Sequence, residues 1–371
     1  MIMYISRRFK TNVCATVHYQ ALKEIFGDKN IIVVSLALEK DQNPEGAYKF
    51  PRYTKFGKIK RYLEGNTCYL SNDIIKQICK LIQKHEINSI FIDESIFGTL
   101  VRKIKKMYKN IKVVTFYHDI ESVLYKEWLK EKGIKFIFEY FTSVHGEKLN
   151  QKYSDINLVL NHRDRRIFIE QYGRQPEGEL PMAVQAPNFT EKDMSELKDY
   201  KLQHKKMILF VGAYYFPNVN GLKWFAQNVM INLPEKYCLL VVGRGMEKIR
   251  DQYSAFRNII IVGEVQNLAA YYNNADIVVA PIFEGGGMKQ KTAEAFAYGR
   301  CFIGTDESMM GYEDAIGIPG IFCCNTGDEM VEAIRQIDNE DAYGYHNDIY
   351  LHYVKHYSFE AAKNNLRKIM K

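Results

Sequence analysis

The chain lacks the marks of several large functional classes. None of its 371 residues belongs to an apolar run approaching the 18 or more that a membrane-spanning helix needs. Seven cysteines, Cys14, Cys68, Cys79, Cys238, Cys301, Cys323 and Cys324, are odd in number and scattered, with no C-x-x-C pair. That pattern argues against a disulfide frame or a zinc site and for reduced thiols in a cytosol. The first strand-like run, IMYIS, is followed by RRFKTN and not by G-x-G-x-x-G, so the fingerprint of a dinucleotide dehydrogenase is missing. The opening MIMYISRRFK places its basic residues after the apolar ones and reads as a strand, not a secretory signal. No nucleic-acid-binding motif accompanies the positive charge, so nucleic acid is not expected as a partner.

What is present is the composition of an ordinary water-soluble globular protein, 47% hydrophobic and 26% charged. The length allows two domains of about 150–200 residues each. The net charge of +7 is uneven: residues 1–190 carry 31 Lys/Arg against 21 Asp/Glu, and the remainder 20 against 23. Two basic clusters stand out, Arg52, Lys55, Lys58, Lys60, Arg61 and then Arg102, Lys103, Lys105, Lys106, Lys109. In the second, Leu100, Val101, Ile104 and Met107 recur at helical spacing, giving an amphipathic helix with a cationic face. Such a face fits either solvent or the anionic surface of a membrane.

Strand-like and helical runs alternate from end to end, the rhythm of parallel α/β sheets. In the first half the strands are expected at IMYIS, NIIVVSL, NSIFID, KVVTFYH and INLVL, with helices near 13–26, 73–85, 96–109, 135–152 and 162–171. The segment 38–66 has no clear periodicity and reads as an insertion. In the second half the strands are expected at KMILFVG, YCLLVVG, NIIIVG, ADIVVAP, RCFIGT and GIFCC. The polar stretch between the halves gives a division into a domain 1–188, a linker 189–205, a domain 206–355 and a closing helix 356–371. Two doubly wound domains of this kind take ligands outside the carboxyl ends of their strands, in a cleft.

The most informative stretch is PIFEGGGMKQKTAEAFAYG, Pro281 to Gly299. Gly285, Gly286 and Gly287 let the backbone turn freely and approach a ligand closely. A helix beginning near Met288 points unpaired N–H groups and its positive end back at that turn, which makes an anion site. Lys289 and Lys291 add two cations there. Glu294, three residues past Lys291, shares its helix face and is placed to accept hydrogen bonds from a ribose. Together they read as a clamp for a sugar diphosphate. Breaking such a bond builds charge on the leaving phosphate, which cations and N–H donors stabilise. A metal-holding DxD or HxxxH motif is not evident near this loop, so no metal and no cofactor is expected.

This segment resembles the donor motif of the retaining family-4 glycosyltransferases of GT-B fold, G-x-G-x-K-x-K-x-x-E-A-x-A-x-G. Gly285, Gly287, Lys289, Lys291, Glu294, Ala295, Ala297 and Gly299 stand in its positions. The resemblance extends over the C-terminal half, through ILFVGAYYFPNVNGLKWF, LLVVGRGME, IIIVGEVQNLAAYYNNADIVVAPI and FIGTDESMMGYED. It implies an α/β protein of two Rossmann-like domains facing across a cleft, with the C-terminal helix crossing back to the first domain. It also implies transfer of a sugar from a nucleotide-diphosphate donor, UDP first and GDP second, to a hydroxyl with retention of configuration. Lipid-linked or polysaccharide acceptors, and a peripheral place at the inner face of a membrane, are the favoured class.

The resemblance carries over to single residues. His118, at the end of KVVTFYH, matches a histidine that faces the reacting sugar; Asp119 beside it reads as the cap of the helix 120–130. Gly212 opens the loop GAYYFPNVNG, and Arg244 follows a strand; both are expected at the diphosphate. Gly263 and Val265 flank Glu264 where the base is held by backbone atoms. Met310 and Gly311 belong near the sugar, and Met288 is counted with the donor-binding residues of the turn. Arg163 and Arg166 stand at the edge expected for acceptor or diphosphate.

Three departures matter. In place of the arginine–lysine pair common in relatives stand Pro217, Asn218 and Gly221. The family's paired acids are E-x7-E, but Gly286 stands eight residues before Glu294, and Glu284 stands ten before. The usual Gly-Gly turn after strand one is replaced by Thr11 and Asn12. A non-catalytic sugar-nucleotide binder, and an epimerase on the same fold, therefore remain as alternatives.

Overall fold

The computed structural model describes residues 1–9, 12–37, 44–50, 54–185, 206–340 and 342–371. Thr11, Arg52 and the whole expected linker 189–205 lie outside these residues. The described chain forms two compact units, one of Met1–Ala183 with Phe359–Lys371 and one of Val184–Ser358.

The first unit is built on seven parallel strands: β1 (Ile2–Ser6), β2 (Ile31–Ser35), β3 (Tyr48–Lys49), β4 (Ser89–Ile92), β5 (Lys112–Tyr117), β6 (Ile156–Val159) and β7 (Gly178–Glu179). Their order is β3-β2-β1-β4-β5-β6-β7. A parallel sheet is covered by helices on both faces, so its strands read as continuous apolar runs; every residue of β1 and β4 is buried. β3 and β7, two residues each at the sheet edges, escaped the sequence because so short a strand carries no periodicity.

The second unit holds six parallel strands: β8 (Lys206–Val211), β9 (Tyr237–Val242), β10 (Ile259–Gly263), β11 (Ile277–Ala280), β12 (Cys301–Gly304) and β13 (Ile321–Cys323), in the order β10-β9-β8-β11-β12-β13. In both sheets the strand order reverses once, between β1 and β4 and between β8 and β11. Ligands of open α/β sheets bind outside the carboxyl ends of the strands at such reversals. The loops that leave β1, β4, β8 and β11 are therefore the places to look for a site.

The amphipathic helix expected from its basic cluster forms at Gly98–Met107, and Leu100, Val101 and Ile104 are spent on the core of the first unit. Only Met107 of that stripe is half-exposed. The segment expected to be an aperiodic insertion contains a helix, Lys55–Leu63, capped by the Thr54 side chain on Gly57 N–H. The last helix, Phe359–Met370, returns to the first unit, where Phe359 and Ala362 pack with Val17 and Ala183, and Lys363 pairs with Glu24 at 2.7 Å. All seven cysteines are unbridged. Among the described residues no helix is long and apolar enough to cross a membrane.

Candidate functional site

In the second unit the glycine turn follows β11 at the strand-order reversal. Gly285 and Gly287 have φ of +124° and +64°, backbone conformations that a side chain resists, so the turn depends on glycine at both. The helix after it begins at Gln290, two residues later than the sequence suggested, with Lys289 at its cap position making no side-chain capping bond. Met288 and Lys289 thus belong to the turn, and the N-terminus of the helix stays available to an anion.

The two lysines are held differently. Lys289 Nζ pairs with Glu307 Oε1 at 2.7 Å and donates to the carbonyl of Gly287 at 2.9 Å, which folds the turn on itself. Lys291 Nζ donates to Asn218 Oδ1 at 2.8 Å and lies 4.7 Å from the Phe210 ring centroid. Burial and the neighbouring Lys289 push its pKa down to about 7. An ammonium this poorly hydrated gains unusually much from a diphosphate. Anion binding must keep Lys291 protonated, so affinity for a nucleotide sugar is expected to fall as pH rises above about 7, by up to about tenfold per unit until the bound-state pKa is passed. Calorimetric titrations between pH 6 and 9 check this, and a flat profile contradicts it.

Asn218 belongs to the departure noted after Gly212. Its amide donates to the carbonyl of Ala213 at 2.9 Å while its oxygen receives Lys291, so the variant sequence positions the lysine. A Cβ on Gly221 would lie 2.1 Å from the carbonyl oxygen of Pro281, which explains glycine there: the helix Phe216–Asn228 packs directly on the strand end carrying the donor turn. The structure therefore gathers Gly212, Asn218, Lys289 and Lys291. Tyr214, Tyr215, Phe216 and Phe283 are large apolar side chains about half-exposed on the same two loops.

Glu294 accepts from Tyr272 Oη at 2.9 Å and Gln290 Nε2 at 2.7 Å, and burial raises its pKa. Glu284 is exposed and accepts from Asn220 at 2.8 Å. Met288 is buried against Gly311, where a Cβ would meet its Cγ at 2.6 Å. Tyr312 Oη donates to the carbonyl of Lys289 at 3.0 Å, binding that loop to the turn. Gly263 has φ +92° and accepts from Gly243 N–H at 2.8 Å; Val265 follows in the half-buried loop. The Arg244 side chain is exposed, and its carbonyl accepts from Tyr214 N–H at 2.8 Å.

The first unit contains a charged cluster that the sequence reading mostly missed. Arg7 and Arg8 follow β1, Asp93 and Glu94 follow β4, and His118 follows β5. His118 Nε2 lies 2.9 Å from Asp93 Oδ1, within ion-pair distance although its N–H is not aimed along the contact. Asp93 also meets His18 Nδ1 at 3.2 Å and accepts from Tyr4 Oη. Although burial alone works against both charges, His118 is held up to about 10 by Asp93, and Asp93 is held far below the usual carboxylate range by the two imidazoles. Next to this pair, Arg7 bridges Glu94 at 2.9 Å and Glu121 at 2.6 Å, while Arg8 pairs with the same two acids. A signal was available: SRR and DES both stand immediately after strands flanking the order reversal.

Asp119 does not cap the following helix, contrary to expectation. Ile120 occupies that position, and the buried Glu147 of another helix accepts from Glu121 N–H at 2.8 Å and Ser122 N–H at 3.3 Å. Burial pushes Glu147 up to about 7. Arg163 is partly exposed and Arg166 exposed. Among the described residues the group with converging metal-ligand atoms is Asp314, His352 and His356, all within 4.8 Å.

Residues 205–339 match the family model described as glycosyl transferases group 1. No curated protein matches the sequence. Among solved structures, HepE of Anabaena in complex with UDP superposes with a TM-score of 0.73 at 10% identity, covering 99% of this chain and 98% of that one. Sucrose-phosphate synthase of Thermosynechococcus elongatus gives 0.72 at 14% identity, over 99% and 97%. WaaG, a glycosyltransferase involved in lipopolysaccharide biosynthesis, gives 0.63 at 12% identity over the full length of both chains. The fold is that of the GT-B glycosyltransferases, as the donor motif implied, and the matched segment contains that motif whole.

Proposed function

We propose that this chain transfers a sugar from a nucleoside-diphosphate donor to a hydroxyl acceptor, with retention of configuration and without a metal. The observation that carries the reading is the pair of lysines beside an uncapped helix N-terminus and a glycine turn. Lys291, desolvated and held by Asn218, and Lys289 with the turn amides receive the diphosphate. Glu294 takes the ribose hydroxyls. The backbone at Gly263 and Val265 takes the base, while Met288 and Gly311 border the sugar. Gly212 lets the backbone come close to the phosphates, and Gly286 and Arg244 lie along them.

In this reading the acceptor oxygen attacks the anomeric carbon on the face from which the diphosphate departs. The leaving phosphate oxygen takes the acceptor's proton. Cations already in place need no reorganisation as charge develops, which is where an electrostatic site gains most. His118 is the histidine proposed to face the reacting sugar, and its ion pair with Asp93 argues against a role as a base. UDP is the favoured nucleotide and GDP the second; the neighbour crystallised with UDP supports that order. The acceptor is a lipid-linked or polysaccharide hydroxyl, a class suggested by the lipopolysaccharide role of one neighbour. Unbridged cysteines throughout fit a cytoplasmic setting.

One observation favours a non-catalytic binder: the first acid of the family pair is Gly286, and Glu284 is engaged by Asn220. Incubation with UDP-glucose, UDP-galactose, UDP-N-acetylglucosamine and GDP-mannose, following both binding and release of nucleoside diphosphate, separates the two. Binding with slow release of free sugar supports the transferase, and tight binding with no release from any donor supports the binder.

A further inference from the structure

On the helix Lys55–Leu63, Phe56, Ile59 and Leu63 recur at i, i+3 and i+7, the spacing that puts side chains on one face. In an ordinary surface helix that face is buried; here the three side chains are 85%, 56% and 82% exposed. A second exposed set, Ile134, Phe138 and Phe141, lies at and near the start of the helix Ile137–Tyr153, with 76%, 55% and 60% exposure. The two sets adjoin. Tyr62 stacks on Phe138 with ring centroids 5.3 Å apart, and Lys58, Ile59, Tyr62, Leu63, Lys135 and Phe138 line one groove. Ile59, Leu63 and Phe138 share this groove, and with Phe56, Ile134 and Phe141 on the same two segments, all more than half in water, they are more than scattered surface apolar residues.

Lysines outnumber acids around this patch, Lys58, Lys60 and Lys135 against Glu64 and Glu139. Glu139 is the acid within it, and its carboxylate is engaged by Lys58 at 2.9 Å and by the Tyr62 hydroxyl at 2.7 Å. Arg61 turns inward to the carbonyl of Cys68. Lys60 and Lys135 are exposed at the edge of the apolar face, Lys60 with Glu64 at 4.0 Å. A second copy meeting this face about a two-fold axis would bring lysines against lysines. A layer with anionic headgroups above an apolar interior satisfies both features, since the aromatic and branched side chains enter below the headgroups and the lysines meet phosphates.

We infer that this face of the first unit docks on the surface of an anionic lipid bilayer. The docking face is thus the helix Lys55–Leu63 with the segment around Phe138, and not the cationic helix Gly98–Met107, whose apolar stripe is consumed by the core. The inference uses no residue of the donor site and does not depend on the reading of that site.

Co-sedimentation of the full chain with vesicles of phosphatidylcholine, with and without phosphatidylglycerol, tests it. Wild type is expected to bind the anionic vesicles in preference and to release them in high salt. The variant Phe56→Ser, Ile59→Ser, Leu63→Ser should lose at least about tenfold in partitioning, given the apolar area removed. Lys60→Glu with Lys135→Glu should also lose about tenfold or more at low salt. All five side chains are exposed, so both variants should melt at the wild-type temperature and bind nucleotide normally. Equal binding to both vesicle types, or a serine variant that binds as wild type does, overturns the inference. So does light scattering that finds a wild-type dimer, dissociated by the serine substitutions, without vesicle binding.

Discussion

Replacing Lys289 and Lys291 together by alanine is expected to weaken nucleoside-diphosphate binding by about a hundredfold to ten-thousandfold, since each charge-assisted hydrogen bond to phosphate contributes roughly 1.5–3 kcal/mol. The two lysines should not share this equally. Lys289 already has a partner in Glu307, so part of its charge is spent before the ligand arrives. Lys291 has a neutral partner in Asn218 and sits in a desolvated pocket that holds its pKa near 7. Its attraction to a diphosphate is therefore the less compensated, and Lys291→Ala alone should cost more than Lys289→Ala alone. Both substitutions also remove contacts of the empty protein, Lys291 to Asn218 and Lys289 to Glu307, so melting curves must show that each variant is folded at the titration temperature. Calorimetric titration of UDP and GDP into wild type and the three variants, with melting curves alongside, gives the comparison. Undiminished binding in the double variant would sink the donor-site reading.

The second large effect concerns Asp93. Its carboxylate lies between His118 and His18 and accepts from Tyr4, with all four side chains buried. Asp93→Ala leaves an imidazole without its counter-charge and the Tyr4 phenol with only the Ala15 carbonyl to donate to, and breaking a buried pair on one side costs about 3–5 kcal/mol. Denaturant unfolding at neutral pH should register a loss of that size, and a loss below about 1 kcal/mol would mean that water or rearrangement replaces the carboxylate. The pH dependence follows from the two shifts. His118 is raised, so its share of stability is complete below the usual imidazole value of about 6.5 and declines as pH climbs toward about 10. Asp93 is lowered, so its share is complete above the usual carboxylate range and is lost as pH falls below it. The pair stabilises most strongly between those limits, and in Asp93→Ala the stability difference from wild type should narrow on both sides.

Much of the donor side could be read in one dimension because its parts are contiguous. A glycine turn, two lysines and an acid within Gly285–Glu294 need no partner from elsewhere to declare an anion site. Lys289, Lys291 and Glu294 are proposed from spacing alone. Their supports were not: Asn218, Glu307 and Tyr272 come from three other segments, and nothing in their spacing connects them to the turn. The cluster in the first unit was harder still. His118 was found because it ends a strong strand, but Arg7, Arg8, Asp93, Glu94 and Glu121 are polar residues in short loops and join only when parallel strands align their carboxyl ends. The start of the donor helix moved by two residues because Met288 and Lys289 have good helical propensity, yet the glycine turn claims their backbone.

The sequence by itself determined the α/β alternation, both apolar sheets, the glycine turn with its two lysines and the surplus of basic charge in the first half. These follow from local chemistry: side-chain period, glycine freedom and charge count. The tertiary structure decided which apolar stripes are used up. The stripe on Gly98–Met107 and the one on Lys55–Leu63 have the same helical period, and sequence cannot rank them. Packing buries the first in the core and leaves the second in water, because burial depends on what the fold brings opposite a helix and not on the helix alone.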